Sequence, residues 1–401
     1  MLVTPHYFPL CGGALTVYDA LAAEADGVIE VLTASTNYVD GKEVADWQAF
    51  DAKAPYAIHR LPALRPTNGG QASNVAHAVV HAYSDWQFNK NLLRQVVQKI
   101  DEIGADTLCV GSLDSLGWLG AAVQRLRPVK TLVYVHGEEV SQKAYSSRAD
   151  RRRRSALQAA DVIVAVSNFT ADLVHSKYAV AENKIKLIPN GVDSARFNGT
   201  VNPDVIGSLG LPAEGYIFAF GRLVARKGFD RLLSAWPLVL AEMPEAKLVI
   251  GGEGPLEQAL KDTLKREQLF GSVTMLGWVD AEALPSVYGA ADLFVMPNRT
   301  LPDGDTEGFG LVILEAAAMG VTSLGGKAGG TTEAVVDGVT GLLLDGNDVE
   351  QIAAAIIRLL QDTPLRTKLA AAALQHARAN SWTKKTQLFL SVLEGLHKQA
   401  S

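Results

Sequence analysis

Short apolar runs alternate with longer amphipathic stretches along almost the whole chain. The runs at residues 28–32, 107–110, 131–135, 162–166 and 185–188 are rich in Val, Leu and Ile. Runs of that length and composition predict strands buried on both faces. Helical spacing separates them, over residues 15–25, 86–103, 116–125, 148–160 and 171–178. In 86–103, Phe88, Leu92, Leu93, Val96, Val97 and Ile100 form one stripe. Ser167-Asn168-Phe169-Thr170 supplies an N-cap signal for the helix at 171–178. From residue 216 the same grammar restarts. Strands are predicted at 216–220, 247–250, 273–276, 293–296, 322–324 and 341–344, and helices at 229–240, 255–267, 284–291, 348–361 and 364–379. An amphipathic helix closes the chain at 382–397. Such alternation means α/β structure with parallel sheets covered by helices on both faces. Residues 1–4 read as the end of a buried strand, shorter than the usual five or six residues or so. The native start is therefore expected upstream, or the first strand is unusually short. Residues 34–74 are polar, carry prolines and glycines, and are expected to be irregular.

Composition refines this in a few places. At 401 residues the chain is too long for one ordinary core, so two domains are expected. Hydrophobic residues make up 48% and charged residues 20%, the balance of a globular enzyme. A net charge of −6 argues against a nucleic-acid partner. No apolar run reaches the length of a membrane span. Cys11 and Cys109 form no disulfide framework and lack metal-ligand spacing, which points to a cytoplasmic home. The three Asn-x-Thr sequons, at Asn168, Asn198 and Asn298, are then chance matches.

The chemistry concentrates at residues 305–320. A polar loop breaks at Gly308-Phe309-Gly310 and runs through Leu311 into an apolar helix, with Glu307 on the loop and Glu315 inside the helix. The glycines let a ligand approach the backbone. The first helical N–H groups lack intrahelical partners and favour an anion. A phosphate at the helix start, with a carboxylate on each side to take hydroxyls, describes a nucleotide sugar. Gly12-Gly13 sits in a strand–turn–helix setting that could also cradle phosphate, or simply make a tight turn. His136 ends the strand at 131–135, where parallel sheets bind ligands, although a lone histidine is as often structural. Gly221, Arg222 and Lys227 follow the strand at 216–220, and the two cations would neutralise a diphosphate. Arg226 reads as a surface charge, and Asp303-Gly304-Asp305 as loop rather than metal site. The arginines between Arg148 and Arg154 read as a solvated helix face, with contact to an anionic acceptor or lipid head groups as the alternative.

Gly12-Gly13, His136-Gly137, Ser167-Asn168-Phe169-Thr170, Pro189-Asn190-Gly191-Val192-Asp193, Gly221-Arg222 with Lys227-Gly228, Gly252-Glu253-Gly254, and Glu307 with Glu315 occur together and in order. As a set they resemble the family 4 retaining glycosyltransferases of GT-B fold. The long loop at 298–306 is similar to that of bacterial lipid-mannosyltransferase-like members. The resemblance implies two Rossmann-like domains facing each other across a cleft, at 1–197 for the acceptor and 198–381 for the nucleotide sugar, with 382–401 crossing back. It implies that Arg222 and Lys227 bind the diphosphate and that Glu315 binds the ribose. Glu307, with the N–H groups of Phe309 and Gly310, would hold the donor sugar and phosphate. Gly13 would meet the diphosphate, and His136 the sugar. The expected activity is hexose transfer to a glycan or lipid-linked acceptor, with no metal or cofactor, GDP-mannose ahead of UDP sugars, and peripheral contact with the inner membrane face. The acceptor should meet residues 34–74. A sugar-nucleotide epimerase and a non-catalytic scaffold are the alternatives. A nicotinamide oxidoreductase is disfavoured, because no Gly-x-Gly-x-x-Gly follows the first strand.

Overall fold

The computed structural model describes residues 1–66, 75–213 and 215–398. The chain builds two parallel sheets. The first holds β1 (Leu2–Val3), β2 (Val31–Ala34), β3 (Ile58–Leu61), β4 (Thr107–Val110), β5 (Lys130–Val135), β6 (Val162–Ala165) and β7 (Ile185–Leu187). Their order is β3-β2-β1-β4-β5-β6-β7. The second holds β8 (Tyr216–Phe220), β9 (Leu248–Gly251), β10 (Val273–Gly277), β11 (Ala291–Met296), β12 (Ser323–Gly326) and β13 (Gly341–Leu344), ordered β10-β9-β8-β11-β12-β13. Each sheet reverses its winding once, at β1/β4 and at β8/β11, and each reversal opens a crevice at the strands' carboxyl ends. Helices cover both faces, so β4, β6 and β9 are buried at every residue. This is the α/β, twin Rossmann-like architecture expected.

The two sheets meet carboxyl end to carboxyl end. The segments after β1, β5 and β6 face the loops after β11 and β12. Two crossovers join them side by side: Val192 N–H donates to Asn380 O (2.9 Å), and Trp382 N–H donates to Val192 O (3.2 Å). Gly191 has no room for a side chain there, since a Cβ would lie 2.9 Å from the Trp382 ring. The closing helix, Trp382–Lys398, lies on the first sheet's side. Thr383 Oγ1 donates to Glu24 (3.0 Å), and Phe389 packs on Tyr134 with ring centroids 6.0 Å apart.

Three expectations shift. The second strand is Val31–Ala34 rather than 28–32, with Leu2 opposite Val31. Val28 is 62% exposed and belongs to the approach, so the apolar run begins before the strand does. Residues 34–66 are not wholly irregular: they contain the helix Trp47–Asp51 and the edge strand β3. All four residues of β3 are only half-buried, and Ile58-His59-Arg60-Leu61 gives a weak apolar signal. Residues 67–74, the rest of that region, lie outside the described residues. The helix expected at 86–103 spans Val75–Ile103. Before Trp86 the sequence mixes Ala and Val with His77, His81, Tyr83, Ser84 and Asp85, a weaker apolar pattern than the stripe of 86–103.

Phe389 is 1% exposed. Phe389→Ala is expected to cost about 3–5 kcal/mol, the range for emptying a buried aromatic site. Denaturant unfolding checks this; an unchanged midpoint would mean that the closing helix is not anchored through this ring.

Candidate active site

The loop after β8 delivers the cations. Gly221 follows the strand at φ +144°, and Arg222 comes next, exposed. Among the described residues the Arg222 side chain has no hydrogen-bond or ion-pair partner. Lys227 closes a one-turn helix, Ala225–Lys227, and turns inward. Its Nζ lies 2.6 Å from Glu307 Oε2, and both side chains are nearly buried. Gly228 must then be glycine: φ is +78°, and a Cβ would lie 2.0 Å from Pro297 O.

Glu307 sits on the loop between β11 and the helix Leu311–Ala318. Burial alone would push its carboxyl up, but Lys227 and then Arg226 outweigh that and hold it below the usual glutamate range. Gly310, at φ +98°, opens the helix without any side-chain cap, leaving the N–H groups of its first turn unclaimed by one. Glu315 lies one turn in. Its carboxylate accepts from Tyr288 Oη (3.0 Å), and burial raises its pKa despite that bond.

From the first sheet, Gly12 caps the helix Gly13–Ala23. A Cβ on Gly13 would stand 3.7 Å from Leu311 Cδ1, so the two helix starts face each other. His136 follows β5 directly, and its carbonyl abuts the other domain: a Cβ on Gly308 would lie 1.8 Å from His136 O, and one on Gly137 2.7 Å from Gly308 Cα. Backbone touches backbone only because both positions are glycine. The His136 ring stacks on Tyr134 with centroids 5.0 Å apart, and burial drives its pKa down to about 3. Phe309 is buried behind the loop.

The structure thus gathers Arg222, Lys227, Glu307, Gly308, Phe309, Gly310 and Leu311 at one carboxyl edge, with Gly12, Gly13 and His136 opposite. Two readings are corrected. Arg226 is no surface charge: it bridges Asp305 (3.1 Å) in its own domain and Glu138 (3.1 Å) in the other. Nor is the arginine run wholly solvated, because Arg153 is buried, paired with Asp114 (2.6 Å) and donating to Gln142 O. Arg154 reaches Lys177 O (2.9 Å). Arg148, Arg151 and Arg152 remain exposed. Asp303 and Asp305 do lie in a loop. Sequence reading missed Tyr18, Tyr134, Tyr288, Glu138 and the Asn168–Glu333 pair, where Asn168 N–H donates to Glu333 across the domains (2.6 Å). Of these, only the nearness of Glu138 to His136 and the place of Asn168 in the Ser167–Thr170 motif could have given a signal.

Removing Arg226 leaves Asp305 as an uncompensated, nearly buried charge. Arg226→Met is expected to cost about 3–5 kcal/mol, whereas Glu138→Gln, at a half-exposed partner, should cost under about 1 kcal/mol. Denaturant unfolding of Arg226→Met, Asp305→Asn and the double variant measures the coupling; strictly additive losses would show that the pair does not interact.

A family model for glycosyl transferases group 1 matches residues 207–376, and one for glycosyltransferase family 4 matches residues 55–196. The GDP-mannose-dependent alpha-(1-6)-phosphatidylinositol monomannoside mannosyltransferase of Mycolicibacterium smegmatis is 33% identical over 392 residues, 96% of this chain and 95% of its own. The GDP-mannose-dependent monoacylated alpha-(1-6)-phosphatidylinositol monomannoside mannosyltransferase of Corynebacterium glutamicum is 28% identical, over 98% of this chain and 97% of its own. Among solved structures, Anabaena Alr3699/HepE in complex with UDP and glucose shares the fold, with a TM-score of 0.76 at 20% identity over 98% of both chains.

Proposed function

The chain belongs to the family 4 glycosyltransferases of GT-B fold, and on that premise we propose that it moves mannose from GDP-mannose to a lipid-linked glycan acceptor with retention at the anomeric carbon. The observation that carries this reading is the cation set after β8. Arg222 stands exposed and unpartnered among the described residues, and Lys227 reaches Glu307 three residues before the glycine-opened helix. Cations, unclaimed N–H groups and flanking carboxylates suit a diphosphate between two polyols. The names of the M. smegmatis and C. glutamicum relatives support GDP-mannose and a phosphatidylinositol mannoside-like acceptor.

In the proposed reaction the bond from the sugar C1 to the diphosphate oxygen breaks while the acceptor oxygen bonds to C1 on the same face. The leaving oxygen takes the acceptor's proton, so charge balances without a separate base. Arg222 and Lys227 stabilise the leaving diphosphate, the role in which fixed cations contribute most. Glu315 holds the ribose hydroxyls. Glu307 and the N–H groups of Phe309 and Gly310 hold sugar and phosphate. Gly12 and Gly13 bring backbone to the diphosphate from the facing domain, and His136 meets the sugar. No metal or cofactor takes part. The acceptor enters from the first sheet's side.

Among the described residues no helix is long and apolar enough to cross a membrane. A cytoplasmic enzyme acting on a lipid-linked acceptor would work at the membrane face, and exposed Arg148, Arg151 and Arg152 beside Tyr145 suit an anionic surface. Each such cation contributes about 1 kcal/mol near anionic lipid. Reversing all three to Glu is expected to abolish cosedimentation with phosphatidylglycerol vesicles; unchanged binding would remove this surface from the reading.

Thermal stabilisation against GDP, UDP, their sugars and NAD, without added metal, tests the donor. At 100 times its dissociation constant a ligand adds about 2.7 kcal/mol. GDP species are expected to stabilise the wild type, and Lys227→Ala to lower transfer about 100- to 1,000-fold. A shift with NAD alone would sink the reading. Conversion of the donor to another sugar nucleotide without acceptor would make the protein an epimerase.

A further inference from the structure

The His136 ring has a neighbour that decides where its proton sits. Tyr18, on the helix Gly13–Ala23, is fully buried, with its ring edge-on to both Tyr134 (5.7 Å) and His136 (5.1 Å). Its hydroxyl lies 2.6 Å from Gly111 O and 2.7 Å from His136 Nε2. A phenol has one proton to give, and a carbonyl oxygen can only accept. Were that proton aimed at Nε2, the Tyr18 and Gly111 oxygens would face each other at 2.6 Å with nothing between them. The Tyr18 proton therefore goes to Gly111 O, and the Tyr18 oxygen accepts from Nε2–H. Burial holds the Tyr18 phenol far above its usual pKa and the His136 imidazole far below its own, so neither group escapes by ionising. The seat is specific: a Cβ on Gly111 would come within 2.9 Å of the Tyr18 ring. On the backbone side, His136 N–H donates to Glu139 Oε1 (2.7 Å), which fixes the residue's entry into the site.

The other ring nitrogen is different. Among the described residues nothing hydrogen-bonds to Nδ1. It is also absent from the fully buried polar atoms that lack partners, so it meets solvent. It belongs to the residue whose carbonyl abuts Gly308, at the junction of the two domains.

We propose that Tyr18 is a positioning residue that holds His136 as the Nε2–H tautomer, so that Nδ1 offers the cleft a lone pair and accepts a hydrogen bond from a hydroxyl of the sugar. The tautomer stands on geometry; the sugar as partner rests on the glycosyltransferase reading above. A group at this point that cannot donate is excluded, which makes the pair Tyr18–His136 selective for a hydroxylated sugar.

Long-range proton–nitrogen correlation spectra of protein carrying 15N-histidine read the tautomer directly, with His136→Asn identifying the signal. The wild type is expected to show a bare Nδ1 and a protonated Nε2. In Tyr18→Phe, Nε2–H loses its acceptor, the proton redistributes to Nδ1, and kcat/KM for transfer falls about tenfold, the worth of one hydrogen bond. Asparagine keeps its amide near the Nδ1 position and glutamine near Nε2, so His136→Asn should retain more transfer than His136→Gln. A wild-type spectrum with Nδ1–H overturns the proposal whatever the donor proves to be. A correct tautomer with Tyr18→Phe and both His136 variants fully active overturns the positioning role and leaves the glycosyltransferase reading intact. The expected spectra from a protein that transfers no sugar would instead sink that reading while the tautomer stands.

Discussion

A carboxylate stays charged in a protein interior when a cation or several hydrogen-bond donors are held against it. Glu307 and Lys227 meet that condition at 2.6 Å, and much of the second sheet's carboxyl edge is arranged around it. Lys227 is turned inward by a one-turn helix that ends in Gly228, whose missing side chain lets the turn press on Pro297. Glu307 is seated from the other side, where Gly330 N–H donates to its carbonyl (2.9 Å) and a Cβ on Gly329 would lie 2.0 Å from the same oxygen. Loops after β8, β11 and β12 thus converge on one ion pair. Buried pairs contribute little net stability. What this one supplies is a fixed cation and a fixed anion in a place water reaches poorly, the condition under which both act strongly on a ligand.

The same economy governs the contact between domains. Gly137 against Gly308, and Gly304 against Ser141 O, bring main chain to main chain. Around those contacts lie the polar ties: Arg226 to Glu138, Asn168 to Glu333, and Lys143 N–H to Asp303 O (2.9 Å). Two of these tied residues, Glu138 and Asp303, lie within a few positions of His136 or Glu307. Whatever parts the domains must therefore also disturb the groups that would touch the sugar. A cleft built this way excludes water when shut, as a transferase with a water-sensitive donor requires.

How much of this could be read from sequence follows from how local each signal is. The inner strands were legible because strands buried on both faces write themselves as continuous apolar runs. The edge strands β7 and β10 kept enough Ile, Leu and Val to be seen although they are largely half-buried or exposed, and the helix after Gly310 was legible because glycine and a lost cap mark its start. The edge strand β3 was not, since a half-buried edge needs no such run. Arg226 looks like any charge beside a lysine, and its burial comes from Asp305 and Glu138, 79 and 88 positions away. Tyr18 is one apolar residue on an amphipathic helix. That its hydroxyl reaches Gly111 O depends on where β4 ends, 93 positions on. The motif residues were visible as a set; the residues that orient them were not, because orientation is made by long-range contacts that leave no local pattern.

The two domains bring different kinds of group to the cleft. The second supplies the full charges, in Arg222, Lys227 and Glu307. The first supplies groups with little charge of their own: His136, whose pKa burial lowers to about 3, and Tyr18, whose phenol burial holds far above its usual range. On the proposed reaction this division has a consequence. Positive charge develops on the sugar ring as the leaving bond opens, and a protonated imidazole beside it would oppose that step. A neutral one does not. Nor can an imidazole with so low a pKa compete for the acceptor's proton, since proton transfer follows basicity. The proton is left to the diphosphate oxygen, whose own charge Arg222 and Lys227 have drawn to that side of the cleft. On that reaction the half-buried histidine would direct transfer by declining to be a base.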